Sequence, residues 1–263
     1  MEGIEPTAPV PSPTSRRAFL AGGAALVGAV LAGCSGSGDG GGGGGGGAAP
    51  TTRATGTTVP AGPTTLAAAD FDGLGPCRLT PEQTAGPFYA DVGLDRRDIT
   101  EGLPGHPLRL GIRVVDQDCR PVPGAVVEVW HADAGGDYSA FADGSAGDDA
   151  AGGTTFLRGA QAADDQGIVE FATIYPGWYT GRAVHVHARV RRSGDAVLTT
   201  QMYFTDELSD RVEREDPYAA RGPRDTRNGD DGIAGDPAAD GTLLATTARG
   251  TGSQGLIVFG VDA

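Results

Sequence analysis

Residues 177–190 read GWYTGRAVHVHARV. His185 and His187 are one residue apart in an apolar, β-branched run. Successive strand residues face opposite ways, so both imidazoles share one face and Val184 and Val186 share the other. Two imidazoles about 7 Å apart along a strand can chelate one metal ion from the side. The plain alternative is a pair of histidines on a half-exposed strand. Two tyrosines keep them company. Tyr179 follows a Pro-Gly turn that can aim its phenol at the strand, and Tyr138 lies in the glycine-rich loop GGDYSAF after the segment ending in Trp130-His131. Phenolate is a hard, anionic oxygen donor, and with two imidazoles it suits a trivalent ion such as ferric iron better than zinc or cuprous copper. A trivalent cation would also pull a tyrosine pKa far down. Taken singly, each tyrosine fits a packing role with its hydroxyl satisfied. A copper or zinc site made of His185 and His187 alone would leave both tyrosines without a role.

The elements that must position these side chains are short strands. Alternation and β-branching mark Leu108 to Val115, Ala125 to His131, Ile168 to Ile174, Ala183 to Val190, Val197 to Phe204 and Leu256 to Val261. Gly-, Asp- and Pro-rich turns separate them. No long stretch has a helical period, and DELSDRVERED, from Asp206, offers one short surface helix. The pattern predicts an all-β fold, an antiparallel β-sandwich with long active-site loops and little helix. Asn228-Gly-Asp-Asp-Gly invites a calcium-loop reading, but its acids do not fall at alternate positions of a twelve-residue loop, and a surface turn fits better.

Much of the 263-residue chain is not globular. Arg16 and Arg17 precede an apolar run that stops at Cys34, too short for a comfortable membrane span and suited to an export signal. Ser-Arg-Arg-x-Phe-Leu resembles a twin-arginine signal, and Leu31-Ala32-Gly33-Cys34 resembles a lipobox that would lipidate Cys34. The alternative is a plain cleaved signal or a membrane anchor. Residues 35–74 are rich in Gly, Thr, Ala and Pro, which cannot bury a core. They read as a tether of ~40 residues with a reach of about 35 Å. Residues 75–263 are left as one domain of ordinary size. The net charge of −14 argues against nucleic acid and against anionic lipid heads, so membrane attachment would run through the lipid. With Cys34 lipidated, Cys77 and Cys119 remain as an even pair, which suggests a disulfide in an exported domain; two free thiols are the alternative.

Longer motifs carry a resemblance. TPEQTAGPFYAD (80–91), DCRPVPGAVVEVWHAD (118–133), GDYSAF (136–141), FLRGAQAADDQGIVEFATIYPGWYTGRAVHVHARV (156–190) and TTQMYF (199–204) resemble the intradiol ring-cleavage dioxygenases, and in pattern their exported branch. The order Tyr … Tyr-x-x-Arg-x-x-His-x-His is far more specific than His-x-His alone. The resemblance implies one non-haem Fe(III) per chain, with Tyr138 and His187 as equatorial and Tyr179 and His185 as axial ligands. Arg182 matches the family's active-site arginine. Gln201 and Tyr203 match polar residues of the same pocket, and Thr84 and Pro87 match an N-terminal segment that reaches it. Phe88 stands where a tyrosine is frequent, and the Tyr179–Arg182 segment is short, both of which bear on substrate preference. The implied reaction opens a catechol-type ring between its two hydroxyls with O2, giving a cis,cis-muconate. The rival from another class is a non-catalytic lipoprotein that binds aromatic diols or ferric catecholates. The oligomeric state, monomer or homodimer, stays open.

Overall fold

The computed structural model describes residues 66–75, 77–140 and 153–262. The elements in chain order are β1 (Pro107–Val115), β2 (Val126–Trp130), β3 (Arg158–Ala162), β4 (Ile168–Ile174), β5 (His185–Arg192), β6 (Asp195–Tyr203), α1 (Asp206–Val212), α2 (Pro237–Asp240), β7 (Ala245–Arg249) and β8 (Gly252–Gly260). They form two four-stranded sheets, ordered β4-β1-β8-β7 and β3-β2-β5-β6. Period-2 alternation builds the core between them. Leu108, Leu110, Ile112 and Val114 of β1 join Val127 and Val129 of β2 and Val186, Ala188 and Val190 of β5 in one buried cluster. This is the expected sandwich.

It departs from expectation in five places. The first sheet is not purely antiparallel, because β1 and β8 pair in parallel, Leu108 opposite Ser253 through Val115 opposite Gly260. Parallel neighbours need a long crossover, and the whole second sheet lies in sequence between them. Strands β3 (RGAQA) and β7 (ATTAR) were not legible, since neither carries a large apolar side chain. They exist because β2 and β8 supply partners for them. Helix α1 is capped by Thr205, whose side chain accepts from Leu208 N, but it buries Leu208, Ser209 and Val212, so it is not simply a surface helix. It ends at Val212, short of the acidic stretch that follows. Helix α2, capped by Asp236 with proline in its first turn, was not expected.

The fifth departure concerns the tether. Leu66 and Phe71 are buried and cluster with Ile168 and Leu256 on the outer face of the first sheet. Gly111 makes room for them, since a Cβ there would collide with Leu66 and Leu256. Burying side chains of this kind stabilises by about 1.5–3 kcal/mol each, so the folded part reaches back at least to Leu66 and the boundary at residue 74 is too late. Arg16, Arg17, Cys34 and the tether before Leu66 lie outside the described residues. Cys77 and Cys119 form a disulfide, with Cα atoms 5.1 Å apart.

Candidate metal centre

Strand pairing brings the key side chains together before any loop is considered. On β5, His187 is opposite Trp130 of β2 and Gln201 of β6, and His185 is opposite Tyr203. Val186 between them points into the main core, which places both histidines on the opposite face of the second sheet. That face is not open to solvent. His185 is 2% and His187 1% exposed, so the solvent-facing alternative fails. A satellite cluster of Trp130, Ala132 and Tyr138, with Ala85, Phe88, Tyr89 and Tyr179 packed on it, covers them.

His185 Nδ1 lies 2.6 Å from the Ala183 carbonyl, which can only accept, so the ring nitrogen facing it must donate. The ring proton is therefore on Nδ1 and Nε2 carries a lone pair. That Nε2 is 3.0 Å from Tyr179 Oη and 3.1 Å from His187 Nε2. The His187 ring lies flat on Trp130, centroids 4.9 Å apart and planes 3° apart. Gly86 lies close to the same ring: a Cβ built there would sit 3.3 Å from His187 Cε1, and Gly86 has φ +69°.

Tyr138 arrives from a loop held at both ends. Asp133 Oδ1 accepts from Gly135 N and Asp137 N just before it. Ser139, just after it, donates to the Phe156 carbonyl and accepts from Arg158 Nε. The Tyr138 ring stacks on Phe88 at 4.5 Å and stands 5.8 Å from the Tyr179 ring and 6.1 Å from the His187 ring. Its hydroxyl is buried and meets no hydrogen-bond partner. A buried, unpartnered phenol costs on the order of 1–3 kcal/mol, and a cation bound at that oxygen would offset it.

Charge is disfavoured throughout the site as it stands. Burial, with the Arg182 charge second, pushes His185 down to about 3. Burial, and then His185, holds His187 well below the ordinary imidazole value. Burial raises Tyr138 well above, and Tyr179 above, the ordinary phenol value. Both imidazoles are therefore neutral and ready to donate lone pairs. Among the described residues no group of three His, Cys, Asp or Glu side chains is placed to hold a metal. A metal here would have to take phenol oxygens beside the two imidazoles. That donor set fits ferric iron.

Arg182 lies beside these donors. Its Nε donates to Asp231 Oδ2 at 3.0 Å and its Nη2 to Gln201 Oε1 at 2.5 Å, with Tyr203 Oη 3.4 Å away. Gln201 Nε2 donates to the Thr84 carbonyl, so Thr84 joins through its backbone, while its hydroxyl accepts from Gly86 N. Pro87 is exposed in the turn that delivers Phe88. Tyr203 Oη is also 3.2 Å from Gln83 Oε1. Asp231, Gln83, Gly86 and the stacking role of Trp130 were missed. Asp231 corrects a specific expectation: it belongs to the Asn228–Gly232 segment read as a surface turn, yet its side chain is fully buried. His131, next to Trp130, is turned away to the Ala132 carbonyl and Thr173 Oγ1.

The sequence profile of the family described as Dioxygenase matches residues 85–219, just over half of the chain, a span that holds both tyrosines, both histidines, Arg182, Gln201 and Tyr203. The intradiol ring-cleavage dioxygenase from Tetranychus urticae superposes with a TM-score of 0.66 at 27% identity, covering 71% of this chain and 95% of that one. The chain belongs to the intradiol ring-cleavage dioxygenase family. Among curated relatives, a chlorocatechol 1,2-dioxygenase from a Pseudomonas strain is 35% identical over 117 residues, 38% of this chain and 44% of the relative. The catechol 1,2-dioxygenase of Acinetobacter baylyi is 29% identical over 187 residues, 56% of this chain and 58% of the relative. The chain thus spans about half the length of the curated relatives it matches.

Proposed function

We propose that the chain is a non-haem ferric dioxygenase that opens catechol-type rings between the two hydroxyl-bearing carbons with O2, releasing a cis,cis-muconate-type product. The observation that carries this reading is the convergence of Tyr179 Oη, His185 Nε2 and His187 Nε2 within 3.1 Å contacts, with the unpartnered Tyr138 phenol and the Arg182 fork beside them. Tyr138, Tyr179, His185 and His187 would hold the iron. Bound there, Fe(III) supplies Lewis acidity that ionises the diol and leaves its ring, rather than the metal, as the partner O2 attacks.

The chain's own residues do the rest. The neutral Nε2 atoms of His185 and His187 are aimed by the Ala183 carbonyl and by the Trp130 face. Tyr179 is the proton acceptor for one catechol hydroxyl: as a phenolate its Oη is a strong base, and it sits at the edge of the cluster on a turn, less deeply buried than Tyr138. Arg182, fixed by Asp231 and Gln201, presents positive charge where negative charge builds on the ring. The Phe88, Trp130 and Ala85 surfaces exclude water, which strengthens that interaction.

Export by the twin-arginine route with a lipid at Cys34 belongs to the same proposal, supported by the residue 15–34 pattern and by a disulfide of the kind kept in oxidising compartments. The test is oxygen uptake by iron-loaded protein on a small panel of catechols, with the product read by absorbance. A muconate absorbing in the ultraviolet is expected. A yellow semialdehyde, or binding of catechol without oxygen uptake, overturns the reading.

A further inference from the structure

We infer that Asp231 is a positioning residue that aligns the Arg182 guanidinium and, through Ala183, the ligand histidine His185; the inference rests on the ring-cleavage reading above. The Asp231 side chain is fully buried. Its Oδ1 accepts from its own turn, from Ile233 N at 2.8 Å and Ala234 N at 3.3 Å. Its Oδ2 is given over to the site: it accepts from Arg182 Nε at 3.0 Å and from Ala183 N at 2.8 Å. The carboxylate is thus anchored on one side and delivers two bonds on the other.

Those two bonds reach two different parts of the chemistry. A guanidinium is a planar fork, and holding Nε at Asp231 and Nη2 at Gln201 sets the orientation of its plane. Ala183 is gripped at both backbone groups, its N–H by Asp231 and its carbonyl by the Nδ1–H of His185. Movement of the Asp231 carboxylate therefore shifts the atom that fixes the His185 tautomer and ring direction. Gly181, on the other side of Arg182 from Ala183, is held as well, its N donating to Asp225 Oδ1 at 3.2 Å. Asp231 also supplies the buried counter-charge that the Arg182 guanidinium requires, and the pair is asymmetric in exposure, 14% for Arg182 against 0% for Asp231. The carboxylate is the more deeply buried member of the pair.

The experiment compares Asp231→Asn, which keeps shape and removes charge, with Asp231→Ala and with Asp230→Asn, an exposed neighbouring acid. Three readouts are taken: kcat and KM on catechol per bound iron, iron retention against a ferric chelator, and the Arg182 Nε–H signal in nuclear magnetic resonance of the metal-free protein. Asp231→Asn should lower kcat by about 10–100-fold with KM little changed, weaken iron retention within the same range, and speed exchange of the Nε–H. Asp230→Asn should match wild type in all three. If Asp231→Ala fails to fold, Asp231→Asn decides. A loss of thermal stability with kcat per iron, iron retention and the Nε–H signal all unchanged overturns the inference, because that is a purely structural role. If wild-type protein turns over no catechol, the ring-cleavage reading falls, while the chelator and resonance measurements still decide whether Asp231 holds Arg182 and His185.

Discussion

Trp130 and His187 lie face to face, their ring centroids 4.9 Å apart and their planes within 3°. They are cross-strand partners on β2 and β5, so the stack follows from sheet register. Trp130→Ala should open a large void in a buried site and cost about 3–5 kcal/mol of stability. Trp130→Phe should keep most of the stacking and lose less. Denaturant unfolding measures the first effect and iron content the second; equal iron content in all three proteins would mean that the stack does not orient His187.

Gly86 lies close to the same ring. Its φ of +69° suits glycine, and a Cβ would press on His187 Cε1 at 3.3 Å. Gly86→Ala should cost about 1–2 kcal/mol from the backbone alone and also weaken metal retention. A substitution that loses stability but keeps wild-type metal affinity would show the His187 contact to be slack.

Tyrosinate bound to ferric iron should colour the protein red to burgundy. Tyr138→Phe and Tyr179→Phe should each shift or weaken the visible band, because each removes one phenolate from the donor set. Colourless wild-type protein at full iron occupancy would sink the assignment of both tyrosines as ligands.

The metal-free protein should lose stability as pH falls below 6.5. His185 titrates near 3 and His131 near 4 when folded, in both cases chiefly through burial, against about 6.5 unfolded. Between those limits the unfolded chain binds protons that the folded chain refuses, so stability rises with pH across the window and is flat in this respect above it. Each such histidine contributes a slope of up to about 1.4 kcal/mol per pH unit. Chemical unfolding at pH 7, 6 and 5 reads the slope, and no change over that range would contradict neutral buried imidazoles.

Arg182→Ala should retain iron and colour yet lose about 10²-fold or more in turnover, the scale for removing one transition-state charge stabiliser. Arg182→Lys should recover little, since a point charge cannot bridge Asp231 and Gln201 as the planar fork does. Wild-type rates in Arg182→Ala would remove the arginine from the chemistry.

The sequence by itself determined what is local and periodic. His185 and His187 had to share a face because strands repeat every two residues, and β1 and β5 were legible because apolar residues recur at every second position, as in Leu108, Leu110, Ile112 and Val114 or Val186, Ala188 and Val190. The spacing of the candidate ligands and its family likeness come from contiguous motifs. What only the tertiary structure decided is everything made by pairing distant segments. Strands β3 and β7 have too little apolar character to announce themselves and are strands because β2 and β8 lie alongside. The parallel β1–β8 pair joins residues from opposite ends of the domain. Asp231 looked like one more acid in a polar turn. Its burial comes from Arg182 and Ala183, 48 and more residues earlier, and no local pattern encodes a counter-charge that the rest of the chain must carry into place. Gly86 likewise gains its meaning from the ring of His187 packed against it.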